Sequence, residues 1–304
     1  MRNRFKNPMA FKQSLEQRLK DTVASTRTDL NRSRQLLIYE RFLARVFEIF
    51  AEDAVLKGGI VLELRLARAR ATKDVDLSLK GSSQTVLKRL QQAGQLDLGD
   101  FLTFEVMKDS KQPDILAEGL AYEGFRFRAQ AFLAGQIYGS RYGIDVAMAE
   151  PMFAPAELLE RSSALDFAGI PAPQFRIYPI ESHLAEKLHA YTLPRLRPNS
   201  RVKDLPDIAL LATVRELRSQ ELYKSLKWTF GHRGTHELPT SLPRPPAKWD
   251  PIYQRMALTS NLPWSDLDEV YEAARTFLDP VLARVEGTWN FHDWLWDEAD
   301  DSPS

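Results

Sequence analysis

Two aspartates one residue apart, in the run Lys73-Asp74-Val75-Asp76-Leu77, restrict this chain more than any other feature. Val75 and Leu77 alternate with the acids, so the run reads as a strand with its apolar face in a core. Both carboxylates then project from the other face. Side by side they repel, which costs free energy unless a cation lies between them. Carboxylate oxygens suit Mg2+, which takes one or two of them together with substrate phosphates. A solvated strand edge is the ordinary reading of an isolated Asp-x-Asp, but this pair does not stand alone. Residues 54–56 read as a short strand entering Lys57-Gly58-Gly59, and a helix over 60–68 is predicted next. Paired glycines before a helix let backbone N–H groups approach phosphate closely. Arg70 and Thr72 follow, just ahead of the acids.

Further along, Ile144-Asp145-Val146-Ala147 reads as a short strand with one carboxylate, a common pattern on its own. Residues 179–193 predict a helix with Leu184, Leu188 and Tyr191 in one stripe and Glu186, Lys187 and Ala190 off it. Arg201-Val202-Lys203-Asp204-Leu205-Pro206-Asp207 then opens a second helix, where Asp204 can cap and can orient Lys187. An ordinary helical hairpin with surface ion pairs is the alternative reading of this segment.

Taken together, these three separated motifs resemble the AbiEii/AbiGii-type nucleotidyltransferase toxins (mycobacterial MenT-like), within the DNA polymerase β-like nucleotidyltransferase superfamily. The resemblance runs from about residue 39 to 296. Lys187, Arg201, Lys203, Asp204 and Asp207 match the family's second-half pattern one for one. One departure is Ile60, where the family carries Ser or Thr directly after the paired glycines.

The resemblance implies an α+β fold. A nucleotidyltransferase-like mixed sheet with flanking helices would occupy residues 1–150, and a mainly helical part 151–304, with the site between them. It implies catalytic roles for Asp74, Asp76, Asp145, Lys187 and Asp204. Metal ligation would fall to Asp74, Asp76 and Asp145. Nucleotide binding would fall to Lys57, Gly58, Gly59, Arg70, Thr72, Arg201, Lys203 and Asp207. The cofactor would be Mg2+ or Mn2+, and the substrate an NTP. The implied reaction moves a nucleoside monophosphate onto an RNA acceptor, a tRNA 3′ end, and blocks translation. A cognate antitoxin protein is an implied partner. A non-catalytic RNA- or partner-binding protein and a protein nucleotidylyltransferase are the alternatives.

Composition narrows the setting. The chain has 304 residues and no Cys, so it has no disulfide framework and no thiolate zinc site, as expected in a reducing cytosol. No apolar run approaches the roughly 20 residues that span a bilayer. The basic N-terminus lacks an apolar core, which predicts no secretory signal, no membrane association and a cytoplasmic location. Net charge is +0, but the first third is rich in Arg and Lys and the last forty or so residues are acidic. That asymmetry fits either a nucleic-acid face or solvated surfaces at both ends.

The remaining pattern is coarser. Amphipathic helices are predicted over 10–24, 33–51 and 83–93, and strands over 101–107 and 125–132. Residues 139–143 read as a turn, and the Pro-rich stretch 151–175 as a loop at the boundary between the two halves. His232 and His236 stand four apart, but Gly231, Gly234 and Pro239 argue against a helix, and neither they nor His183 and His189 read as zinc ligands. Residues 232–251 read as a Pro-rich connector, 266–285 as a helix, and the Trp-rich tail as docking in a groove.

Overall fold

The computed structural model describes residues 4–26, 29–66, 71–114, 124–148, 151–160, 164–194 and 201–298. Its first part opens with α1 (Pro8–Thr26) and α2 (Leu30–Phe50), the latter capped by Asp29, which accepts from the Arg32 N–H. Then come β1 (Ala54–Lys57), α3 (Gly58–Arg65), β2 (Asp74–Leu79) and α4 (Ser83–Gln95). Strands β3 (Leu102–Lys108), β4 (Gly124–Leu133) and β5 (Gln136–Met148) follow, with β6 (Glu157–Glu160) and β7 (Gln174–Ile177) after them. Among the described residues these seven strands form one mixed sheet in the order β3-β4-β5-β2-β1-β7-β6. The α+β architecture expected from the sequence, a mixed sheet with flanking helices, is the one observed.

Three of the strands, β5, β6 and β7, replace sequence expectations. Residues 139–143 lie inside β5 rather than in a turn. The reversal between β4 and β5 falls at Ala134 and Gly135, both at positive φ. Gly139, at φ 67°, sits where the pairing slips between Ala129 and Ala131. A glycine inside a strand marks such a bulge as readily as a turn. The Pro-rich stretch read as loop supplies β6 and β7, which extend the sheet beyond β1.

The second part begins with α5 (Ile180–Thr192) and α6 (Asp204–Leu211). It continues through β8 (Leu217–Arg218), α7 (Ser219–Arg233), α8 (Asp250–Ser260) and α9 (Leu267–Leu282), and ends with β9 (Gly287–Asn290) and β10 (Leu295–Glu298). The Trp-rich tail folds as β9 and β10, pairs with β8, and buries Trp289 against Phe277. His232 lies within α7, which Gly234 ends in the left-handed conformation.

Two apolar clusters hold these parts. One gathers α2, the sheet and α4; the other gathers α5, α6, α7 and α9. α3 belongs to both: Ile60, Val61 and Leu64 pack in the first and Leu62 in the second. The Gly58-Gly59 turn therefore lies at the seam. On α2 the first cluster also takes in charge, since Arg41 and Arg45 are buried and both donate to Asp100. A buried charge is tolerable only when paired in this way. No helix among the described residues is long and apolar enough to cross a membrane.

Candidate active site

The register of the sheet lays four charged residues in one row. Lys57 on β1 is opposite Asp76 on β2, Asp76 is opposite Asp145 on β5, and Asp145 is opposite Arg126 on β4. Residues opposite one another on neighbouring strands share a face. The row thus reads plus, minus, minus, plus, with two carboxylates adjacent at its centre. Two residues along β2, on the same face, Asp74 is opposite Gly143.

Two glycines make room for these acids. A Cβ on Gly58 would stand 1.9 Å from Asp76 Oδ2, and one on Gly143 would stand 2.3 Å from Asp74 Oδ1. Gly58 also has φ 66°, which side-chain-bearing residues rarely adopt. Gly58→Ala is therefore expected to push the Asp76 carboxylate out of place. Any chemistry at this site should fall about 100-fold, as a displacement of about 1 Å can cause. Stability should fall by at least about 1–2 kcal/mol, the usual strain of a left-handed non-glycine residue, with the displacement of Asp76 adding to it. An activity assay and a thermal melt would separate the two effects.

Above the row lies a cavity of about 470 Å3. From the first part it takes Lys57, Gly58, Gly59, Thr72, Asp74, Asp76 and Asp145. From the second it takes Lys187, Arg201, Lys203 and Asp204. Arg70 lies outside the described residues. Asp207 is wholly buried beside Lys187. The Lys187 ammonium stands 3.0 Å from Asp204 Oδ1 and 2.7 Å from Asp207 Oδ2. Arg201 Nε approaches Asp204 Oδ2 at 3.7 Å. Thr72 is held from behind: its N–H donates to Glu63, its hydroxyl donates to the Asp74 carbonyl, and its own carbonyl accepts from Arg32. Lys57 lies 4.6 Å over the Tyr178 ring.

The centre of the row is electrostatically unhappy. Burial and the neighbouring Asp145 charge push the Asp76 carboxyl up to about 6, against the opposing pull of Lys187 and Lys203. Asp74 adds to the push. Carboxylates so arranged fit a divalent cation, which would relieve both the burial and the repulsion. Asp145 departs from the simplest form of that expectation. Arg126 donates to both of its oxygens at 2.6 Å, from Nε and Nη2, a bidentate clamp. Among the described residues, no three His, Cys, Asp or Glu side chains converge as a ready metal cage. Asp74 and Asp76 thus face the cavity as the open pair, with Asp145 beside them and held by arginine.

Ile60 is buried in the first cluster and contributes nothing to the cavity wall. Sequence reasoning missed Arg126, His183 and Glu186, which all line the cavity. Arg126 was legible as half of an alternating strand, but its partner depended on the register of β4 against β5. His183 and Glu186 flank the α5 position of Lys187, and helical spacing puts His183 one turn before it on the same face.

A family model described as nucleotidyl transferase AbiEii toxin, type IV TA system, matches residues 41–279. Solved structures similar to the chain include MenT4, a nucleotidyltransferase toxin from Mycobacterium tuberculosis H37Rv. It is 18% identical, with a TM-score of 0.49 over 84% of this chain and 93% of that one. JHP933 from Helicobacter pylori is 14% identical, with a TM-score of 0.42 over 84% and 91%. No curated protein matches.

Proposed function

The chain belongs to the AbiEii nucleotidyltransferase toxin family of type IV toxin–antitoxin systems, and from that premise we propose that it transfers a nucleoside monophosphate from an NTP to an RNA acceptor, a tRNA 3′ end, and so blocks translation. Family membership brings with it an NTP substrate and an antitoxin partner. The observation that carries the reading is the charged row beneath the cavity, with Lys187 and Lys203 on the facing wall.

The acceptor hydroxyl would attack the α-phosphorus and pass its proton to Asp145 or to water, forming the new P–O bond as the bond to the bridging oxygen breaks and pyrophosphate leaves. Phosphoryl transfer of this kind depends mainly on positioning and on neutralising charge. Asp74 and Asp76 would hold Mg2+ or Mn2+, with Asp145 as the third ligand once Arg126 turns away; the cation would neutralise phosphate charge and polarise the α-phosphate. Gly58 and Gly59 would admit the phosphates at the start of α3. Lys57 and Thr72 would lie along them, and the family pattern assigns nucleotide binding to Arg70 as well. Lys187 would steady the pyrophosphate, with Asp204 and Asp207 fixing its ammonium. Arg201 and Lys203 would guide triphosphate or RNA backbone into the cleft. A 3′-CCA end is single-stranded and suits recognition by stacking and 2′-hydroxyl contacts. The same reading keeps a nucleotidyltransferase-like part and a mainly helical part that closes over it, with the division moved from residue 150 to the start of α5, since β6 and β7 belong to the first part's sheet. A cytoplasmic location, where tRNA would be met, belongs to the same reading.

The Arg126 clamp on Asp145 favours one rival, a binding protein without chemistry. Incubation with each labelled NTP, Mg2+ and total tRNA decides between them. Label in tRNA with wild type and none with Asp76→Ala is the expected result. Label in no RNA, with wild type and variant alike, would overturn the proposal. Label in protein would move the acceptor to a side-chain hydroxyl.

A further inference from the structure

His183 is buried, with 3% of its surface exposed, yet it lines the cavity. Neither of its ring nitrogens has a hydrogen-bond partner among the described residues. An ordinary core histidine satisfies at least one nitrogen, because an unpaired buried polar atom is costly. Both nitrogens are unpaired and shielded from solvent in a residue that lines the cavity, so a turn of the ring toward that cavity would give one of them a partner from a bound ligand.

The surroundings identify that partner. Burial first, then the Lys187 charge, holds the ring well below the usual imidazole range; Lys57 and Arg65 act in the same sense and Asp207 against it. The ring is therefore neutral at pH 7 and presents one N–H donor and one acceptor nitrogen. Lys57 precedes the Gly58-Gly59 turn on one side, and Lys187 lies one helical turn away on the other. A ligand group seated among these residues must be anionic and must accept hydrogen bonds.

We propose that His183 donates a ring N–H to a phosphate oxygen of the bound triphosphate, between the Gly58-Gly59 turn and Lys187. The assignment rests on the nucleotidyltransferase reading and deepens it. His183 binds the part of the nucleotide that leaves as pyrophosphate, and its contact is indifferent to the base.

Calorimetry with a non-hydrolysable NTP and, separately, with inorganic pyrophosphate, each in Mg2+, tests this. His183→Leu should weaken both by about ten-fold, the loss of one hydrogen bond to a charged acceptor. His183→Gln, which keeps an N–H donor, should recover part of the loss. The melting temperature of His183→Leu should not fall, since the change removes unpaired polar atoms; His183→Met serves if leucine disturbs the packing. Equal affinities for wild type and His183→Leu would overturn the assignment while leaving the nucleotide reading intact. Weakened NTP binding with unchanged pyrophosphate binding would place the contact on sugar or base and overturn it too. A wild type that binds neither ligand would remove the nucleotide reading, and this inference with it.

Discussion

Asp76→Asn is expected to abolish nucleotide transfer and, at the same time, to raise the melting temperature of the metal-free protein. The first effect follows from its central place in the charged row, between Lys57 and Asp145. Removing a group that holds charge at the reacting centre costs at least about 10^3-fold in rate. The second follows from its shifted ionisation. The Asp76 carboxyl lies at about 6 in the folded protein against an ordinary 3.8. Between those values the folded state holds more protons than the unfolded one, so stability falls as pH rises through the window. Above about pH 6 the whole penalty is present, on the order of 1–3 kcal/mol. Asparagine carries no charge and escapes it. The variant should therefore melt higher than wild type at pH 7 in chelator, and the gap should close by pH 4. A gap of equal size at both pH values would show that the carboxylate charge is not the source. Added Mg2+ should raise the wild-type melt and leave the variant's nearly unchanged.

That coupling of instability to function explains which parts of the site were legible in the sequence. Asp74 and Asp76 alternate with apolar residues, and alternation reports the face of a strand without any knowledge of neighbours. Gly58 was legible for the same local reason, as a turn before a helix. Its structural necessity, the Asp76 carboxylate lying where its Cβ would be, belongs to the pairing of β1 with β2. The placement of Asp145 beside Asp76 came from family resemblance and not from residues 144–147, which carry little information alone. Arg126 shows the limit most clearly. Its alternation with Phe125 and Phe127 was readable, but its clamp on Asp145 needs the register of β4 on β5, which a bulge near Gly139 adjusts. The same glycine invited the misreading of residues 139–143 as a turn. In the second part, period and spacing found α5 and α9, whereas β8, β9 and β10 are too short for alternation to register.

Lys187 carries the largest expected effect on stability. Its ammonium lies between two carboxylates that are fully buried, Asp204 and Asp207. It is therefore a bridge between α5 and α6 as well as a charge facing the cavity. Lys187→Ala leaves two anions in the interior without the cation they share. Breaking a buried ion pair from one side typically costs about 3–5 kcal/mol. The Arg201 guanidinium, 3.7 Å from Asp204, offsets part of this for Asp204. Denaturant unfolding of Lys187→Ala should show a loss in that range, and Asp207→Asn in the same background should restore part of it. The chemical role needs a variant that folds. Lys187→Arg keeps the charge but replaces a compact ammonium with a planar fork. It should retain most of the stability while transfer falls about 100-fold, because a guanidinium held by Asp204 and Asp207 cannot occupy the ammonium's position toward the phosphates. Full activity in Lys187→Arg would reduce Lys187 to a structural bridge and shift charge neutralisation on the pyrophosphate to Lys203 and Lys57. Equal loss of stability in the arginine and alanine variants would instead mean that geometry, not charge, holds α5 to α6.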